Sequence, residues 1–302
     1  MKPTLLVLAA GIGSRFGGLK QISAVGPGNS TIIDYSVYDA WRAGFGKIVF
    51  VIRKAIEVEF KATVGRKFEQ RLPVEYVYQE LDRLPSGIEL PAERTRPWGT
   101  AHALWVARAA VQEPFAVINA DDFYGRSSFQ MLAGFLKTVQ DCGSNEYAMI
   151  GYILRNTLSE FGAVSRGVCQ LDGDGYLQHV VELRNVTRNG NRARYVDESG
   201  TGHGLTGSET VSMNMWGFVP SIFDHVQDQL LEFLTRQGRA SSAEVFIPTV
   251  IDRLISRGQV RVSVFPSNEL WFGITYQQDL PYVVDRFQDL VKQGIYPEKL
   301  WD

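Results

Sequence analysis

Cysteine is nearly absent. The 302-residue chain has two, Cys142 and Cys169, far apart and without metal-ligand spacing, so no disulfide framework is implied. No apolar run is long enough to cross a bilayer, which argues against a membrane partner. An excess of charge is also lacking: 31 basic residues face 33 acidic ones, for a formal net charge of −2. That balance argues against a broad nucleic-acid footprint but leaves room for a local Arg and Lys cluster around a phosphate. There is no internal repeat and no low-complexity linker. The first residues, Met1-Lys2-Pro3-Thr4, lack the apolar core and small-residue cleavage site of a signal peptide, and a cytoplasmic location is expected. Hydrophobic residues at 45% and charged residues at 21% are ordinary globular usage, which excludes a disordered, collagen-like or coiled-coil chain.

Short apolar runs alternate with helical patterns in the first half. Leu5–Ala9, Ile48–Ile52, Val74–Tyr78 and Phe115–Asn119 each suit a strand buried on both faces. Thr31 and Asp34 are spaced as a capping pair, Ile33, Val37, Ala40 and Trp41 follow helical spacing, and Gly44 marks the stop. Thr100 is placed to cap a second helix, 101–111. This order predicts βαβ units and a largely parallel sheet. After about residue 150 the pattern changes. Residues 161–171 and 176–184 read as strands around the turn Asp172-Gly173-Asp174-Gly175. Residues 187–210 read as a long loop, 212–219 as a strand, and 221–256 and 278–293 as helical. The expectation is one domain, 1–302. It has a nucleotide-binding half (1–150), a β-rich part (151–220) and a C-terminal helical portion (221–302).

The first strand runs into Leu8-Ala9-Ala10-Gly11-Ile12-Gly13-Ser14-Arg15-Phe16-Gly17-Gly18-Leu19-Lys20-Gln21. Backbone N–H groups of such a loop can point at phosphate oxygens, and Arg15 and Lys20 add two positive charges. The dinucleotide fingerprint fails because Phe16 stands where its third Gly belongs, which also disfavours a nicotinamide oxidoreductase. The P-loop fails because Lys20 is preceded by Leu19 and followed by Gln21.

The string Leu-Ala-Ala-Gly-x-Gly-Ser-Arg with Lys-Gln shortly after resembles the signature of the sugar-1-phosphate nucleotidylyltransferases, the nucleotide-sugar pyrophosphorylases. The resemblance covers roughly residues 4–275. It implies a Rossmann-like, mixed and mostly parallel α/β sheet flanked by helices, with a β-rich sugar-binding insertion. It places the nucleoside triphosphate against Leu8, Ala10, Gly11, Gly13 and Ser14, with Arg15 on the leaving pyrophosphate and Lys20 at the reacting centre. Pro97-Trp98-Gly99-Thr100-Ala101-His102-Ala103-Leu104 is close to the uridylyl- and thymidylyltransferase string, so Gln79, Gly99 and Thr100 are implied to hold a pyrimidine base. His102 by itself is read as an ordinary helix residue.

Asp121 and Asp122 follow the fourth strand, where ligands bind in open parallel sheets. Acidic oxygens there suit Mg²⁺. By resemblance Asp121 is the metal ligand. A second metal Asp is expected after Trp271-Phe272, but Gly273 stands there; Glu269 or Asp122 are the substitutes, or one carboxylate holds the metal together with phosphates and waters. On the sugar side the resemblance implicates Gly162, Glu182 and Asn214. It also implicates Arg184, near the position of a family Lys that is missing after Glu182.

The implied reaction transfers a nucleotidyl group from UTP or dTTP to a sugar 1-phosphate, with Mg²⁺ as cofactor and Arg15, Lys20 and Asp121 as the catalytic set. A homo-oligomer is compatible with the resemblance. Two alternatives stay open. One is a cytidylyltransferase for a non-sugar alcohol phosphate, because Thr31-Ile32-Ile33-Asp34-Tyr35-Ser36-Val37 after Lys20-Gln21 also resembles the isoprenoid-pathway enzymes. The other is a non-catalytic nucleotide-sugar-binding protein, motivated by Gly273.

Overall fold

Leu5 and Val7 turn to one face of the first strand and Leu6 to the other, and all three are fully buried. That is why an unbroken apolar run, rather than an alternating one, builds the centre of this fold. The computed structural model describes residues 1–11, 20–139, 145–197, 199–237 and 243–301. Its first half contains β1 (Thr4–Leu8), α1 (Ile32–Ala43), β2 (Lys47–Ile52), α2 (Glu57–Thr63), β3 (Val74–Tyr78), α3 (Thr100–Val106), β4 (Phe115–Asn119), β5 (Asp122–Phe123) and α4 (Arg126–Thr138). The second half contains β6 (Glu146–Ile153), β7 (Val164–Leu171), β8 (Leu177–Asn189), β9 (Arg192–Val196), β10 (Gly202–Leu205), β11 (Thr210–Phe218), α5 (Ile222–Gln237), α6 (Ile247–Ser256), β12 (Arg261–Pro266), β13 (Phe272–Gly273) and α7 (Asp279–Lys292).

β3, β2, β1 and β4 form a parallel core in that order. β11 adds antiparallel to β4 and carries the sheet onward through β7, β8, β9 and β10. β6 pairs antiparallel with β11 and parallel with β12. The result is a mixed α/β sheet with a Rossmann-like core. Apolar residues of α3, α5 and α6 pack on one face and those of α1, α2 and α4 on the other. No helix among the described residues is long and apolar enough to cross a membrane.

Local signals hold where their chemistry is self-contained. Thr31 and Asp34 form a reciprocal capping box, and Gly44 closes α1 with φ +99°. The Asp172–Gly175 turn is present, with Gly175 at φ +84°. Three expectations need correction. Residues 187–210 are not a loop. β8 runs to Asn189, and β9 and β10 continue a polar ribbon whose Val186 and Ala193 are buried. Its outward side chains give it the composition of a loop. The helix expected over 101–111 ends at Val106, and Thr100 does not cap it. Gly99 holds the cap position, while Thr100 Oγ1 accepts from Ile247 N at 3.0 Å. The C-terminal portion is not wholly helical, because it also supplies β12 and β13.

Candidate active site at the carboxyl ends of the parallel strands

A cavity of about 380 Å³ opens where β4 ends. Asn119 lines it from the end of β4, Asp121 and Asp122 from the turn and short strand that follow, Arg166, Gly167 and Glu182 from β7 and β8, and Asn214 from β11. The two halves meet here because β11 pairs with both β4 and β7. Its register shifts between Ser212 and Trp216, and Asn214 sits in that irregularity at φ +63°. A short polar side chain tolerates this left-handed backbone better than most.

A hydrogen-bonded relay crosses the seam. Trp216 Nε1 donates to Asn214 Oδ1 at 3.1 Å, and Asn214 Nδ2 donates to Asn119 Oδ1 at 2.7 Å. Asn119 Nδ2 in turn donates to Asp122 Oδ2 at 2.8 Å. Asn119 escaped the sequence reading. Its only signal was a polar residue at the last position of an apolar strand. Arg166 escaped it as well, although a charge two residues after the buried Val164 was the available clue. Burial pulls the Arg166 guanidinium down to about 10, which still leaves it charged at neutral pH. Nearby Asp122, Glu182 and Asp279 favour the charge. Burial also raises the Glu182 carboxyl, against Arg166 and Arg184.

The nucleotide side lies along the same strand ends. Gln21 Nε2 donates to Gly11 O at 2.7 Å and Ala9 O at 3.3 Å, tying the residues after the glycine loop to those before it. Leu8 ends β1, Ala10 is buried and Gly11 is exposed. Gly13, Ser14 and Arg15 lie outside the described residues, as does the side chain of Lys20, which opens a short 3-10 turn.

Gln79 and Gly99 do meet: Gln79 Nε2 donates to Gly99 O at 3.0 Å. The same nitrogen lies 3.3 Å from His102 Nδ1, and His102 Nε2 lies 2.5 Å from Arg83 O. Only an N–H can face the Arg83 carbonyl, so Nε2 carries the proton and Nδ1 accepts. Two acceptors therefore fix the Gln79 amide with Nε2 inward. Burial holds His102 down at about 4, neutral across the physiological range. His102 is thus a fully buried helix residue that also orients Gln79. Gly99 has φ +96°, and a Cβ there would stand 2.3 Å from Val245 O, so close backbone packing demands glycine.

The remaining expected residues are distributed unevenly. Arg184 is exposed and does not line the cavity. Gly162 lies outside it too, and a Cβ there would stand 2.7 Å from the Tyr276 hydroxyl. Glu269 is engaged elsewhere, its Oε1 accepting from Ser127 N at 2.8 Å at the start of α4. Gly273 pairs with Asp122 across the short β5–β13 ladder.

Asp121 and Asp122 offer hard oxygens of the kind Mg²⁺ prefers. No group of three or more ligating side chains occurs among the described residues, so protein ligands alone would not complete a coordination shell. The donor set fits a cation that keeps its remaining positions for phosphate and water.

No curated protein matches the chain in sequence. Solved structures match it over nearly its whole length. One is a Bacillus anthracis protein described as a glucose-1-phosphate thymidylyltransferase, in complex with a sucrose. It has a TM-score of 0.61 and 13% identity over 95% of each chain. A UDP-glucose pyrophosphorylase complexed with UDP-glucose gives 0.59 and 16%, covering 96% of this chain and 99% of that one. An inositol-1-phosphate CTP transferase from T. maritima gives 0.59 and 12%, covering 96% and 97%. At these identities the likeness speaks for the fold. The family model "Nucleotidyl transferase" matches residues 4–280, and the chain belongs to that family.

Proposed function

We propose that this protein transfers a nucleotidyl group from UTP or dTTP to a sugar 1-phosphate and releases pyrophosphate. The observation that carries the reading is one cavity holding the Asp121-Asp122 pair, just beyond β4, and Glu182 from the antiparallel half. This juxtaposition supports a single acceptor reaching both the metal-side acids and a hydroxyl-binding carboxylate. The names of the structural neighbours support the reaction class, two of them pointing to sugar nucleotides.

In-line transfer at the α-phosphorus requires positioning and charge neutralisation more than a protein nucleophile. Asp121 and Asp122 would hold Mg²⁺, whose chemistry is to neutralise developing charge on the triphosphate. Glu182 accepts hydrogen bonds from sugar hydroxyls. Asn119 and Asn214 fix Asp122 through their relay and so hold the two substrates' compartments in register. Gln79, with its Nε2 turned inward, offers Oε1 to the base. The single donor on the base-pairing edge of uracil and thymine, the ring imide N–H, fits a lone acceptor oxygen. In the same seat cytosine would place a ring acceptor against it. Arg15 and Lys20 are assigned to the triphosphate on the motif. Release of pyrophosphate is the test. With Mg²⁺, release that requires both UTP or dTTP and a sugar 1-phosphate confirms the reading. Release with CTP and an alcohol phosphate instead favours the cytidylyl alternative, for which one neighbour's name speaks.

A further inference from the structure

Among the described residues, four charged ones line the cavity: Asp121, Asp122, Glu182 and Arg166. Three are acids, and Arg166 is the one cation among these four. That side chain is 7% exposed and stacks over the Trp271 ring at 4.8 Å from its centroid. Its Nε donates to Thr157 Oγ1 at 3.0 Å, Nη1 to Ser165 O at 2.7 Å, and Nη2 to Thr157 O. All three partners are uncharged oxygens. An arginine carries five N–H donors, so one N–H on each Nη has no partner among the described residues. A guanidinium with a donor left on each Nη is the kind of group that takes a phosphate or carboxylate. Nearby Asp122, Glu182 and Asp279 offset the buried charge, and the two unpartnered N–H donors are what a bound anion would complete.

We infer that Arg166 is the residue that receives the phosphate of the acceptor, through the free N–H of each Nη, with Thr157 and Trp271 holding the guanidinium in place. This rests on the transferase reading above. Glu182 and Arg166 then read the two ends of one small molecule: Glu182 takes the hydroxyls, and Arg166 takes the phosphate that attacks. Asp121 and Asp122 line the same cavity, and Asp122 is near enough to favour the Arg166 charge, so the acceptor phosphate would lie in the cavity where a cation would be held. Arg184, exposed on the outer part of β8, is left without this task.

The test is a KM split, using the sugar 1-phosphate that wild-type protein accepts in the release assay. R166Q is expected to raise the acceptor KM about 100-fold and R166K about tenfold, since a lysine keeps the charge but loses the fork. The nucleotide KM should stay within about twofold in both. T157V keeps the arginine but removes the Nε acceptor, and an intermediate rise is expected. Acceptor and nucleotide KM moving together, in step with a lowered melting temperature, would mean a purely structural role and overturn the inference. So would an unchanged acceptor KM in folded R166K and T157V. If wild-type protein releases no pyrophosphate with any pair, the transferase reading fails, and melting shifts decide Arg166 separately. Stabilisation by sugar 1-phosphates in the wild type but not in R166Q upholds the anion site; no stabilisation in the wild type removes it.

Discussion

Gly273 faces Asp122 across the β5–β13 pair, and a Cβ added at Gly273 would stand 2.4 Å from Asp122 Oδ1. One carboxylate already fills the space that a side chain at 273 would need. An aspartate installed there therefore collides with Asp122 instead of adding a second ligand. G273D is expected to cost about 1–3 kcal/mol by overpacking, with like-charge repulsion added, and to gain no activity. A melting curve and the release assay check this. The double variant D122A/G273A should recover only part of the stability G273A loses, because the carboxylate contact is gone while the Asp121 carbonyl, 2.9 Å from the added Cβ, stays.

Asp121 can be tested without breaking the fold. Its backbone carbonyl accepts from Ile274 N at 3.1 Å, and that bond survives loss of the side chain. D121A is expected to melt close to the wild type while Mg²⁺-dependent pyrophosphate release falls by about 100-fold or more. Undiminished release would remove Asp121 from the metal site.

The Gln79 amide should matter to the nucleotide and not to the acceptor. In Q79L the oxygen offered to the base is lost, and the nucleotide KM is expected to rise about tenfold with the acceptor KM unchanged. H102L frees the amide to rotate and should weaken discrimination between UTP and CTP. Competition assays with the two nucleotides read this directly.

Asp39 predicts a pH dependence of stability. Burial raises its carboxyl from 3.8 to about 7, partly opposed by a hydrogen bond from Tyr296 and by Arg126, and its Oδ1 is buried without a partner. The folded protein thus keeps a proton that the unfolded chain releases. The stabilisation is full below about pH 4, fades by roughly 1.4 kcal/mol per pH unit as the pH rises towards 7, and is gone above it. Urea midpoints between pH 5 and 8 should show this fall, and D39N should flatten it.

Much of this was legible residue by residue. The unbroken run of β1 gave a strand buried on both faces, and the Thr31–Asp34 and Gly44 signals gave both ends of α1. Such features depend on neighbours a few residues away, so sequence order expresses them directly. The Gln79–Gly99 pairing came only through the family resemblance, and the structure adds His102 as the reason for the amide's direction. The 187–210 ribbon was misread because exposed strands carry the same polar residues as loops.

Sequence alone determined the βα order of the first half and the Asp121-Asp122 pair just after β4, both fixed by local pattern and backbone chemistry. Tertiary structure decided which distant charges share a cavity. Arg166, Glu182 and Asp122 come from three strands, and only the pairing of β11 with both β4 and β7 brings them together. It also decided that position 273 has no room for a second carboxylate, since that depends on a residue about 150 positions away across a two-residue ladder.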